Sequence, residues 1–136
     1  MRISNFLLGL LYTASTTLGC YGTGFNLGDL KGGHLSIEEC IKDYCKGVRM
    51  GIKGHQAKDA CYQFTPPKSA GWWDPGWFNK GRKLDISIRN DHATTQGMSN
   101  EECEEVFLKI YRNCPKGSLE QHKGFTLYID PNRGGC

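Results

Sequence analysis

Ser99-Asn100-Glu101-Glu102-Cys103-Glu104-Glu105-Val106-Phe107-Leu108-Lys109-Ile110-Tyr111-Arg112-Asn113-Cys114-Pro115 reads as one amphipathic helix. Cys103, Val106, Phe107, Ile110, Tyr111 and Cys114 recur at helical spacing and make one apolar stripe. Ser99 and Glu102 have the spacing of a capping box, in which each side chain accepts from the other residue's amide. Glu101, Glu102, Glu104 and Glu105 suit the positive helix start, Lys109 and Arg112 suit its end, and Pro115 stops the run. The acidic cluster therefore reads as a solvated helix face. Upstream, Ser36-Ile37-Glu38-Glu39 repeats the cap, Ile37, Ile41, Tyr44, Cys45 and Val48 repeat the stripe, and Gly47 sits near the expected end.

Strand signals alternate with these helices. Lys83-Leu84-Asp85-Ile86-Ser87-Ile88-Arg89 and Phe125-Thr126-Leu127-Tyr128-Ile129 alternate apolar and polar residues with period two. Ala60-Cys61-Tyr62-Gln63-Phe64 is a shorter candidate, and Tyr21 to Phe25 a first strand weakened by Gly22 and Gly24. The expected fold is α+β in the order βαββαβ: two helices packed on a mostly antiparallel four-stranded sheet, stabilised by disulfides. The doubled pattern of capped helix followed by strand suggests a structural duplication.

The chain has 136 residues, of which 17 are Lys or Arg and 14 Asp or Glu, a formal +3 too small to imply a nucleic acid or a membrane surface as partner. Met1-Arg2, the apolar run Phe6 to Leu11 and the small residues before Gly19 read as a secretory signal peptide over 1–19. The apolar run is too short to span a bilayer. Residues 20–136 are then expected to form one secreted, extracellular, cysteine-rich domain.

Seven cysteines in so short a chain fit an oxidising compartment. In the βαββαβ arrangement Cys103 lies on the side of the chain end, which suggests Cys103–Cys136. Cys20 and Cys61 both begin strands on one side, which suggests Cys20–Cys61. Cys40, Cys45 and Cys114 remain, and Cys114 can take either of the other two, leaving one thiol over. Spacing supports no zinc site, because no Cys-x-x-Cys pair exists and the histidines are dispersed. No cofactor is expected.

Hydrolase and phosphate-loop motifs are absent, so no catalytic residue is assigned. His34, His55, His92 and His122 read as loop residues. A ribonuclease-like hydrolase would need two of them beside a carboxylate such as Asp85 or Asp91. Binding has a better carrier. Three of the five prolines and all three tryptophans lie between Phe64 and Lys83. There Trp72, Trp73, Trp77 and Phe78 accompany Asp74, Asn79, Lys80 and Arg82. Aromatic faces can bury the C–H face of a sugar ring, and carboxylate, amide and cationic groups can address its hydroxyls. The competing reading places these rings over the open sheet face or in a small core beneath the loop. Stacking on single-stranded nucleic acid would want a more basic loop. An open sheet edge would offer a homodimer contact. Asp130-Pro131-Asn132 reads as a tight turn that aims Cys136 at its partner.

The start Cys20-Tyr21-Gly22-Thr23-Gly24, the spacing from Cys45 to Cys61, the entry Met98-Ser99-Asn100-Glu101-Glu102-Cys103, Cys114, and the ending Phe125 to Cys136 carry a resemblance. They resemble a fungal family of small secreted, cysteine-rich glycan-binding proteins, the Y-three-like family. The pattern is also broadly similar to the α/β sandwiches of fungal killer toxins and secreted plant-pathogen effectors. The extra Cys40 and the long 65–82 loop depart from the family pattern. The resemblance implies an extracellular lectin-like or effector-like domain without catalysis. It also implies that Cys45 pairs in preference to Cys40, so that Cys40 is the odd thiol. The expected function is glycan binding. The alternative is an effector or toxin that binds a host or competitor protein, and the third reading is the ribonuclease-like hydrolase.

Overall fold

The computed structural model describes residues 19–65 and 81–136. The expected signal peptide, apart from Gly19, and loop residues Trp72, Trp73, Asp74, Trp77, Phe78 and Asn79 lie outside them. A 3-10 turn at Leu27–Asp29 leads to α1 (Ile37–Val48), β1 (Ala57–Thr65) and β2 (Arg82–Asn90), then to α2 (Asn100–Asn113), β3 (Ser118–His122) and β4 (Phe125–Arg133). The strands form one antiparallel sheet in the order β1-β2-β4-β3. This is the expected α+β architecture of two helices and a four-stranded antiparallel sheet.

The element order differs from expectation at one edge. Tyr21 to Phe25 form no strand; Cys20 makes only a single bridge to Ser118. The fourth strand is β3, and the chain runs αββαββ. Ser118-Leu119-Glu120-Gln121-His122 lacks the β-branched residues that mark strands. Its pairing follows from the two-residue turn Lys123-Gly124, where φ is 47° and 80°. Two consecutive positive φ values match the twist that tight hairpins prefer.

Each half of the chain is thus a helix followed by a hairpin. β2 and β4 are nine residues each and pair end to end, Arg82 with Arg133 and Asn90 with Phe125. Ile86 and Ile129, each the middle residue of its strand, are partners. A two-fold rotation between them exchanges the topology of the two halves, in keeping with the doubled sequence pattern.

Helix ends follow the sequence with one exception. Ser36 accepts from the Glu39 amide at 3.2 Å and Glu39 accepts from the Ser36 amide at 2.7 Å, so the first capping box is complete. At α2 only half of the box forms. Ser99 accepts from the Glu102 amide at 3.1 Å, but the Glu102 carboxylate accepts from Lys123 Nζ at 2.7 Å and lies 3.0 Å from His122 Nε2. A cationic donor outcompetes a neutral amide for a carboxylate.

One face of the sheet meets the helices. Leu84, Ile86 and Ile88 of β2 and Phe125, Leu127 and Ile129 of β4 pack with Ile41, Tyr44 and Val48 of α1 and Phe107 and Ile110 of α2. The Tyr44 and Phe107 rings meet edge to face at 5.7 Å. Each such aliphatic or aromatic side chain contributes roughly 1.5–3 kcal/mol on burial.

The disulfides are Cys20–Cys114, Cys45–Cys103 and Cys61–Cys136, and Cys40 is a buried free thiol. The pairings Cys103–Cys136 and Cys20–Cys61 suggested by strand order are therefore corrected. Cys103 lies on the buried stripe of α2 and faces α1, away from the chain end. Cys20 docks beside β3 and the end of α2. The Asp130-Pro131-Asn132 turn is corrected as well, because these residues continue β4. Pro131 fits there because β3 begins at Ser118, opposite Ile129, so the missing N–H costs no bond to β3. Beyond β4 the tail crosses the sheet to β1, where the Cys136 amide donates to Gln63 Oε1 at 2.8 Å. Closing loops of 94, 58 and 75 residues restricts the unfolded chain by on the order of 4 kcal/mol each in the chain-entropy account. Among the described residues no helix is long and apolar enough to cross a membrane.

Candidate functional site

Strand alternation sends every second residue to the face that carries no helix. Register places them in rows: Ala57, Arg89, Thr126 and Gln121; then Asp59, Ser87, Tyr128 and Leu119; then Cys61, Asp85 and Asp130; then Gln63, Lys83 and Asn132. The third and fourth rows hold a connected ladder. Lys83 Nζ lies 3.2 Å from Asp85 Oδ2. Asn132 Nδ2 donates to Asp85 Oδ2 at 2.9 Å and to Asp130 Oδ2 at 2.7 Å. Tyr128 Oη donates to the same Asp130 oxygen at 2.8 Å. Burial and the hydrogen bond to Asp130 push the Tyr128 phenol above its ordinary range, so it remains a donor at neutral pH.

Two concavities flank the ladder. The larger, about 590 Å³, is floored by Ser87 and walled by Asp59, Asp85, Arg89, Leu119 and Tyr128. The smaller, about 410 Å³, lies between the Tyr21–Phe25 segment and Asp130, Pro131 and Asn132. The Tyr21 ring meets the Tyr128 ring edge to face at 6.4 Å, so both concavities share an aromatic wall. Leu119, 51% exposed, adds an apolar rim. Carboxylates, an amide, hydroxyls and cations thus border a phenol ring on a rigid sheet. This arrangement can bury one face of a polyhydroxylated ligand and bond its rim.

No family model matches the chain, and no curated protein matches it. The site must therefore be read from its own chemistry.

Among the sequence-predicted contact residues only Arg82 lies in the described part. It is on the helix side of β2, where Nη1 donates to the Asp29 carbonyl at 2.9 Å and the guanidinium stands 5.3 Å from the Phe25 ring centre. The tryptophan segment leaves β1 at Thr65 and returns at Arg82, beside Gln63, Lys83 and Asn132. Sequence reasoning missed Lys83, Tyr128, Asp130 and Asn132, and offered Asp85 only as a hydrolase carboxylate. The signal was present in the polar positions of the alternating strands. It was hidden at Asp130 and Asn132 by the turn reading.

The histidines separate into three places. His34 is exposed before α1. His122, at the end of β3, contacts Glu102. The His55 and His92 backbones meet at the end of β2, where the His55 amide donates to the Asn90 and His92 carbonyls. Asp91 is held below the usual carboxylate range by hydrogen bonds from Thr126 and Arg89 and by attraction to Arg89 and His55. Asn90 is fully buried, and its Nδ2 donates to the Ile52 and Thr94 carbonyls at 2.8 Å each. Its Oδ1 therefore accepts from His92 Nδ1 at 2.8 Å. Among the described residues no cluster of three His, Cys, Asp or Glu could hold a metal ion.

Proposed function

We propose that this chain is a secreted carbohydrate-binding domain that acts without catalysis and uses the open sheet face as its contact surface. The observation that carries this reading is the ladder from Tyr128 through Asp130, Asn132 and Asp85 to Lys83, set between two concavities. Sugar hydroxyls both donate and accept, and the ladder offers both kinds of partner beside an aromatic ring. Trp72, Trp73, Trp77, Phe78, Asp74 and Asn79 belong to the segment that joins the strands at this end of the sheet, and we assign them to the same ligand. Three disulfides support an oxidising, extracellular setting. The resemblance to the fungal Y-three-like family supports a fungal glycan-binding protein.

A glycan array tests the reading. Retention of a sugar by the native protein, lost in Tyr128→Phe, Asp130→Asn, Trp73→Ala and Trp77→Ala at unchanged thermal stability, supports it. Capture of a host or competitor protein with no sugar retained favours the effector alternative. The backbone contact of His55 with His92, together with the attraction between His55 and Asp91, is the observation that favours the hydrolase as second reading. RNA cleavage abolished in His92→Ala would establish that reading in place of the first.

A further inference from the structure

Arg82 and Arg133 are cross-strand partners at the end of the β2–β4 pair. Their guanidinium carbons stand 5.3 Å and 4.6 Å from the centre of one ring, that of Phe25. Like charges directly opposite each other on a sheet repel. An ion pair to a carboxylate would relieve that repulsion, yet among the described residues neither guanidinium makes one. The nearest carboxylates of β2 and β4, Asp85 and Asp130, point from the other face and are occupied by Lys83, Asn132 and Tyr128. Arg82 is further fixed by its bond to the Asp29 carbonyl. Two planar donor forks are thus held on one aromatic ring, with donors left over among the described residues.

We propose that Arg82 and Arg133 on Phe25 form an anion fork for the carboxylate or sulfate group of an acidic polysaccharide. This inference rests on the carbohydrate reading of the open face. Phe25 also lines the smaller concavity with Asp130 and Asn132, so the ring that carries both arginines on the helix side of the sheet reaches the space assigned to the sugar. Guanidinium groups bind planar carboxylates and tetrahedral sulfates through parallel N–H bonds. Holding both before the ligand arrives removes part of the ordering cost of binding. The Asp85 and Asp130 carboxylates repel an anionic group from the ladder, which leaves the fork as the place for it.

Retention is measured on polygalacturonate, on dextran sulfate and on neutral dextran, with inorganic sulfate as competitor. Arg82→Gln and Arg133→Gln are each expected to weaken both acidic polymers by about tenfold. Lys46→Gln, which removes the same charge from the last turn of α1, is expected to change them by less than about twofold. Phe25→Leu keeps both charges and removes the ring, and is expected to weaken acidic polymers as well. Circular dichroism and thermal melts confirm folding of each variant. Equal losses in Lys46→Gln and Arg133→Gln would show diffuse attraction and overturn the fork. Retention of array glycans with no preference for acidic ones would overturn the fork and leave the carbohydrate reading standing. Inorganic sulfate bound through both arginines, with no saccharide retained, would overturn the polysaccharide assignment and the carbohydrate reading together.

Discussion

Asp85 and Asp130 are direct cross-strand partners, and the single amide nitrogen of Asn132 donates to both. Facing carboxylates would repel; the shared amide and Lys83 offset that repulsion. Asn132→Ala leaves the carboxylates unbridged. It is expected to cost about 1 kcal/mol at low salt and less at high salt, where repulsion is screened. Urea denaturation at two ionic strengths measures this. A loss independent of salt would mean that Asn132 stabilises by packing alone.

Acid should weaken the fold through three carboxylates. Glu39 is lowered by its bonds to Ser36, Asp91 by bonds from Thr126 and Arg89, and Glu102 by bonds from Lys123 and His122. A carboxylate lowered in the folded state adds stability above its unfolded value, and that stability is lost as pH falls through the folded value. Stability is therefore expected to be level above about pH 5 and to decline below about pH 4.5. Asp91→Asn should flatten the decline. Chemical denaturation across that range checks the slope.

Cys40 should be the one thiol that reacts. Burial raises it to about 11, with Asp43 and Glu39 adding to the effect. It is 1% exposed. The native protein is expected to resist alkylation at neutral pH, and the denatured, unreduced protein to take up one label, at Cys40. Non-reducing peptide mapping should return Cys20–Cys114, Cys45–Cys103 and Cys61–Cys136. Label at Cys45 would refute the pairing.

Asn90 joins the 52–56 segment, the 91–96 loop and His92. Asn90→Ala strands the Thr94 carbonyl, leaves the Ile52 carbonyl with the Gln96 amide alone, and frees the His92 amide and ring. It is expected to cost about 3 kcal/mol, read as a lowered melting temperature, and to shift the His92 ring nitrogen resonances. A change under about 0.5 kcal/mol would show that water replaces the amide without penalty.

Local pattern carried much of the fold. The stripe from Cys103 to Cys114, the Ser36 cap and the alternation of Lys83 to Arg89 each state their element within a few residues. β3 was not legible, because Ser118 to His122 is a strand by virtue of its partner β4 and the turn at Lys123-Gly124. The ladder was half legible. Asp85 and Tyr128 occupy visible polar positions, whereas Asp130 and Asn132 flank a proline that reads as a turn until its neighbour strand is known.

Sequence alone determined the two helices, β2, the core of β1 and the first part of β4, and which side of each faces the core, because propensity and periodicity act over one or two turns. Only the tertiary structure decided that Asp85 faces Asp130, that Arg82 and Arg133 share one ring, and that Cys45 meets Cys103. Those contacts join residues distant along the chain. They depend on strand order and register, which are set when the whole apolar face is buried at once.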